Sequence, residues 1–282
     1  MSPALRRLLP CLAACALAGA PLGAQSPDHP APKQTPSIGA LFAPPTAWEV
    51  QAVRAEWAAR QPVAASWRYE AAGMVGGHDL RVVSHVVDGH RHYGLIRLPS
   101  KFTPGGSHPV LVYLHGGANG IKLAKLDAFD RDLMPGHRMP EEFVYVVPSF
   151  RAEPLDAGPL GVFVSEGEPS PLDRDVDDAM ALLSVALEAV PEADRLRIGA
   201  FGSSRGGGTA LLMGARDERV RFLVNVSGLA DLTLPMIAKD VWEIVTTRRP
   251  ADSPVLRMVM QRVVEPYLAG SVDLGEARRR LL

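Results

Sequence analysis

Cysteine is almost missing from this 282-residue chain: the two present, Cys11 and Cys15, both lie inside the first 24 residues. Beyond residue 15 there is no thiol, which excludes a disulfide framework and a thiolate metal site from the rest of the chain. An excess of charge of one sign is lacking too, with 30 Lys and Arg against 31 Asp and Glu and no long basic run. Nucleic acid is not expected as a partner on that ground, because phosphate backbones are held by clustered cations. Histidine occurs eight times, yet none lies beyond His137. No apolar run reaches the roughly 20 residues that a membrane-spanning helix requires, so no integral span is expected. What is present, 47% hydrophobic and 22% charged residues, suits a globular chain with one sizeable core.

The first 24 residues have the pattern of an export signal: Arg6 and Arg7, an apolar run from Leu8 to Ala24, then a polar Pro-rich stretch. Cleavage after Ala24 would place the mature chain outside the cytoplasm, in the periplasm or secreted, as for a bacterial protein. The run Leu12-Ala13-Ala14-Cys15 also resembles a bacterial lipobox, and the alternative is a lipid anchor on Cys15. Residues 25–45 carry six prolines without hydrophobic periodicity and read as an exposed linker. Residues 46–79 are an N-terminal helix and lead-in, with Trp48, Val53, Trp57 and Ala58 at near-helical spacing over about 46–60. The main domain is expected over 80–282.

From Leu80 to Leu98, β-branched runs flank Asp88-Gly89, a two-residue hairpin signal. The turn sets residue 87 opposite 90 and 85 opposite 92, which puts His85, His90 and His92 on one face. With no acidic or fourth ligand nearby, a solvent-facing edge hairpin is expected and a metal is not. Pro109–Leu114 is a short strand running into His115-Gly116-Gly117, where backbone N–H groups can point into a cleft. Glu142–Val147 is a further buried strand, and 152–171, rich in Pro, Gly and acids, reads as loop. Val176, Met180, Leu183 and Leu187 predict a helix over 173–190, with Asp173, Asp175, Asp177 and Asp178 as caps at its amino end. Leu196–Phe201 is a strand leading into Gly202, Ser204 and Gly206, which fit G-x-S-x-G, and Val220–Val226 is another core strand. This alternation predicts a mostly parallel sheet with helices on both faces. Three helices follow, over 236–245, 254–268 and 275–282.

The HGG loop, the segment VVPSFR, the helix start DRDVDDA and the turn RIGAFGSSRGG together resemble the α/β-hydrolase superfamily. Within it they are similar to the catalytic domain of the prolyl oligopeptidase family and related acyl esterases, over roughly residues 80–231. The resemblance implies an α/β-hydrolase fold and a serine hydrolase of small ester or peptide substrates, with no cofactor. It makes Ser204 the nucleophile and the N–H of Arg205 one oxyanion donor, with the N–H of Gly117 or Ala118 as the other. Gly202 and Gly206 give the close approaches, and Gly116, with Gly117, lets backbone N–H groups point into the cleft. It also implies an acid and a histidine after the serine, and no histidine follows Ser204. One expectation is therefore an impaired hydrolase whose fold lacks the last strands and final helix, with a bare hydrophobic sheet edge that favours self-association. A second is an active enzyme using His115 or His137 as an unusual base with Asp231 behind it. A third is a non-catalytic binding protein of the same fold.

Overall fold

Glycine and β-branched residues dictate where the strands of this chain can meet. The computed structural model describes residues 36–282 apart from 61, 134, 135 and 230, so the export signal, Cys15 and most of the linker lie outside the described residues. The described chain opens with a helical turn, α1 (Ile38–Leu41), and helix α2 (Ala47–Ala59), whose Thr46 and Glu49 form a reciprocal capping box. Strands β1 (Trp67–Val75), β2 (His78–Val87) and β3 (His90–Arg97) form an antiparallel meander, with 87 opposite 90 and 85 opposite 92 as the Asp88-Gly89 turn requires. Next come β4 (His108–Leu114), β5 (Ile121–Lys122), α3 (Leu123–Ala128) with a π-helical turn, α4 (Met139–Glu142), β6 (Val144–Pro148), β7 (Pro154–Asp156) and β8 (Val162–Val164). Helix α5 (Arg174–Ala189), β9 (Ala193–Ser203), α6 (Arg205–Arg216) and β10 (Val220–Val226) complete the sheet region. The helices α7 (Pro235–Thr247), α8 (Pro254–Val259), α9 (Glu265–Leu268) and α10 (Leu274–Arg279) follow.

Among the described residues, seven strands form the main sheet in the order β1-β2-β3-β6-β4-β9-β10. Its half from β6 to β10 is parallel, joined to the meander through an antiparallel β3–β6 pair. Helix α5 covers one face, and Gly94 on β3 leaves the space that the Leu182 side chain fills. The opposite face buries Leu111, Tyr113, Tyr145 and Phe201 against Leu126 and Phe129 of the α3 segment. Each such side chain removed from water contributes about 1.5–3 kcal/mol.

A third cluster is purely helical. Ile38 and Leu41 of α1 pack with Ile237, Val241, Val259, Val263 and Tyr267 from the carboxyl-terminal helices. Arg278 on α10 closes it, donating to the carbonyls of Ala40, Leu41, Ala43 and Pro44 and pairing with Glu49.

Several sequence expectations need correction. Residues 36–45, read as exposed linker, include the docked α1, because Ile38 and Leu41 find apolar partners some 200 residues later. Trp48, read as part of a packed helix face, is 78% exposed. The lead-in contains β1, which joins the main sheet as its edge, so the 80–98 hairpin is interior. His85 and His92 lie buried on the face that α5 covers, beside Asp178, with their four ring nitrogens without hydrogen-bond partners, while His90 stays exposed. The 152–171 segment holds β7 and β8, which with β5 make a small second sheet. The α5 aspartates are not caps: Asp173 makes no capping bond, and Asp175, Asp177 and Asp178 are buried in ion pairs with Arg205, Arg216 and Arg151.

Candidate active site

The site is built on the turn between β9 and α6. Ser204 stands there at φ 52° and ψ −123°, a conformation that costs an L-residue about 1–3 kcal/mol. Neighbouring backbone holds it: Ser204 N–H donates to the Val226 carbonyl at 2.8 Å, and Gly207 and Gly208 N–H donate to the Ser204 carbonyl at 2.9 and 3.1 Å. Glycine is needed around it for space. A Cβ at 202 would overlap the Gly206 carbonyl, and one at 206 would overlap the Leu114 carbonyl. At 116 it would lie 2.8 Å from the Ser203 carbonyl oxygen and 3.3 Å from Ser204 Cβ, which places the loop after β4 directly against the serine. Gly117 has φ 79°. Among the described residues its N–H and that of Ala118 meet no acceptor. The N–H of Arg205 lies in the first turn of α6, where helix donors lack intrahelical partners.

The Arg205 side chain ties these pieces together. Its Nε and Nη2 donate to Asp175 Oδ2 at 2.8 and 2.6 Å, and its Nη1 donates to the Gly117 carbonyl at 3.0 Å and pairs with Glu153. The guanidinium lies over the Phe150 ring, 4.6 Å from its centroid. Glu153 in turn accepts from Gly120 N–H at 3.0 Å, so both ends of the 117–120 loop are fixed by one buried ion cluster. Asp175 is fully buried, and burial raises its pKa against the pull of Arg205. Glu153 and Asp175 were missed as site residues in the sequence. The available signal was an acid directly after a buried strand, in Arg151-Ala152-Glu153, and three acids within four positions of α5.

His115 is buried against Phe150, with ring centroids 4.6 Å apart. Its Nδ1 is 3.2 Å from the Gly116 carbonyl oxygen and its Nε2 is 3.6 Å from Glu153. Burial pushes its pKa down to about 3, so the ring is neutral near pH 7. Asp231 is exposed and accepts from the Thr233 N–H and hydroxyl at 2.8 and 2.6 Å, ordering the entry to α7. His137 is exposed beyond the π-helical turn. Among the described residues, no hydrogen bond joins His115, His137 or Asp231 to Ser204, and no three His, Cys, Asp or Glu side chains are placed to hold a metal ion. The structure thus gathers Ser204, Arg205, Gly116, Gly117, Gly202 and Gly206, and among the described residues makes no hydrogen bond from Ser204 to His115, His137 or Asp231.

A mostly parallel sheet flanked by helices, with a strained serine between a central strand and the next helix, is the α/β-hydrolase fold. The solved structures that it resembles include acetyl xylan esterase 1 from Thermoanaerobacterium sp. JW/SL YS485, with TM-score 0.53 at 19% identity, covering 84% of this chain and 74% of that one. Acetyl xylan esterase from Paenibacillus sp. R4 aligns with TM-score 0.50 at 16% identity, covering 86% of this chain and 76% of that one. No family model and no curated protein sequence matches the chain.

Proposed function

We propose that this protein is a serine hydrolase in architecture, acting on ester or peptide bonds of small substrates outside the cytoplasm, and that the 282-residue chain by itself turns over slowly. The observation that supports the reading is the strained Ser204 with Gly116 of the loop after β4 packed against its Cβ; the N–H of Arg205 and that of Gly117 or Ala118 are the donors we assign to the oxyanion hole. A substrate carbonyl placed there would be attacked by the Ser204 Oγ, and its oxygen would take up negative charge in front of those donors. Each such donor contributes on the order of 10²–10³ in rate. The esterase side of the reading is favoured by the two esterases of like fold, and the HGG and GSSRGG segments fit both esterases and prolyl oligopeptidases.

Slow turnover follows from the proton. Attack needs a base on the Ser204 hydroxyl, and both His115 nitrogens face other groups. A serine without its base loses several orders of magnitude in rate. The expected result with a fluorophosphonate probe is slow labelling that Ser204→Ala abolishes. Complete labelling within minutes would refute the slow reading, and label that survives Ser204→Ala would remove Ser204 as nucleophile. A second reading, a binding protein of this fold, is favoured by the same lack of a base on Ser204. It predicts ligand affinity unchanged by Ser204→Ala.

Self-association belongs to the same proposal. Phe222, Leu223, Val224 and Val226 on β10 are exposed, next to a backbone edge that among the described residues pairs with no further strand. Sedimentation velocity should show association that rises with concentration and falls in Val224→Lys. A monomer at all concentrations would count against it.

A further inference from the structure

Away from Ser204, a cavity of about 250 Å³ lies between α2, α6 and the carboxyl-terminal helices. Val53, Trp57, Leu212, Leu232 and Val259 give it apolar walls. By comparison, a cavity of about 150 Å³ already holds a benzene-sized guest. Its charged lining is unequal in one respect. Asp173 is engaged by Arg60, and Glu276 by Arg279 and Arg280, with Arg279 also on Glu56. Among the described residues Arg262 has no carboxylate partner, and its buried Nη1 meets no acceptor.

Arg262 is half-buried, and its enclosed Nη1 is left without a hydrogen-bond acceptor, which costs free energy that a ligand acceptor would recover. Burial lowers the Arg262 pKa, and Arg280 and Arg205 add to that effect, while Asp175 and Asp173 oppose it. Arg262 also borders an open groove shared with Arg151, Arg174 and Glu168. Arg151 and Arg174 are themselves neutralised by Asp178 and Asp88. What the lining lacks is an acceptor for Arg262 Nη1 beside an apolar volume.

We propose that this cavity is a binding site for a small monocarboxylate, with its carboxylate on Arg262 and its hydrocarbon body between Trp57, Leu212 and Val259. The inference is independent of the chemistry at Ser204, because none of Ser204, Arg205 or Gly117 lines the cavity. Guanidinium and carboxylate match in planar, two-bond geometry, and the body length follows from the volume. Alcohols and methyl esters of the same length lack the charge and should bind at least about tenfold more weakly, the worth of one charge-assisted hydrogen bond.

Calorimetric titration of the 282-residue protein with hexanoate and with hexanol tests this. Hexanoate should bind and raise the melting temperature with concentration, whereas hexanol should do neither over the same range. Arg262→Met should melt no lower than the parent without ligand, because it breaks no ion pair and removes an unpartnered Nη1, and should lose the hexanoate response. Should Arg262→Met fold poorly, Leu232→Trp keeps the guanidinium, fills the cavity and should also lose binding. Equal binding of acid and alcohol, a full hexanoate response in Arg262→Met or Leu232→Trp, or no binding of hexanoate would each overturn the assignment.

Discussion

Replacing Arg205 with methionine should destabilise the protein by about 3–5 kcal/mol, the cost of leaving buried charge uncompensated. The substitution strands Asp175, which is fully buried, and Glu153, which is 5% exposed, in one low-dielectric pocket. It also frees the Gly117 carbonyl and removes the guanidinium from the Phe150 ring. Urea unfolding of the parent and variant gives the number directly. Adding Asp175→Asn to Arg205→Met should recover part of the loss, since a neutral amide is cheaper to bury than an orphaned carboxylate. A loss below about 1 kcal/mol, within the range of an exposed pair, would show that the cluster is solvated and does not hold the loop. Any reaction at Ser204 should fall further than stability alone explains, because the 117–120 loop carries the oxyanion donors.

Acid should unfold this protein earlier than its carboxylates alone would suggest. Burial lowers the pKa of His85 to about 4 and of His92 and His115 to about 3, while the unfolded chain titrates them near 6.5. A depressed histidine pKa means that the unfolded state binds the proton more readily. Stability from these groups is therefore complete above about pH 6.5, and it is lost as pH falls toward their folded values. Asp175 and Asp178 act in the opposite direction. Burial raises them to about 7 and about 6, so the folded state gains their protons first as pH falls. Between pH 6 and 4 three histidine protons taken by the unfolded state outweigh two aspartate protons taken by the folded state, a net of one. The expected slope is about 1.4 kcal/mol lost per pH unit. His92→Leu should remove one of the three and flatten the slope over that range, with little loss at pH 8, because the ring nitrogens of His92 have no hydrogen bonds to forfeit. A melting temperature that is flat from pH 7 to 4 in the parent would contradict the account.

The sequence made the site's frame legible and hid its supports. Gly202, Ser204 and Gly206 announce themselves because a tight turn allows few residues, and the same holds for Asp88-Gly89 and its hairpin. Val220–Val226 is a strand over the same residues that its β-branched run indicates. Strand β1 escaped notice because most of it faces solvent in part, so it lacks the apolar alternation of the central strands. The depth of His85 and His92 depends on α5 packing over their face of the sheet, a long-range contact that the local pattern does not carry. The aspartates of α5 looked like caps since local chemistry favours acids at a helix start; only long-range partners, Arg151, Arg205 and Arg216, make them interior. Arg205 itself was noticed for its N–H, while its guanidinium does the joining.

The clasp of Arg278 and α1 has a bearing on how the molecule comes into being. Residues 36–45 leave the ribosome early, yet the side chains that cover Ile38 and Leu41 and the guanidinium that binds the carbonyls of Ala40 to Pro44 are made some 200 residues afterwards. At synthesis rates of about 5–20 residues per second, this segment waits on the order of 10–40 s for its partners. During that interval its apolar turn is bare, whereas the β2–β3 hairpin can close at once. Nascent chains should therefore acquire the central sheet first and the helical cluster last.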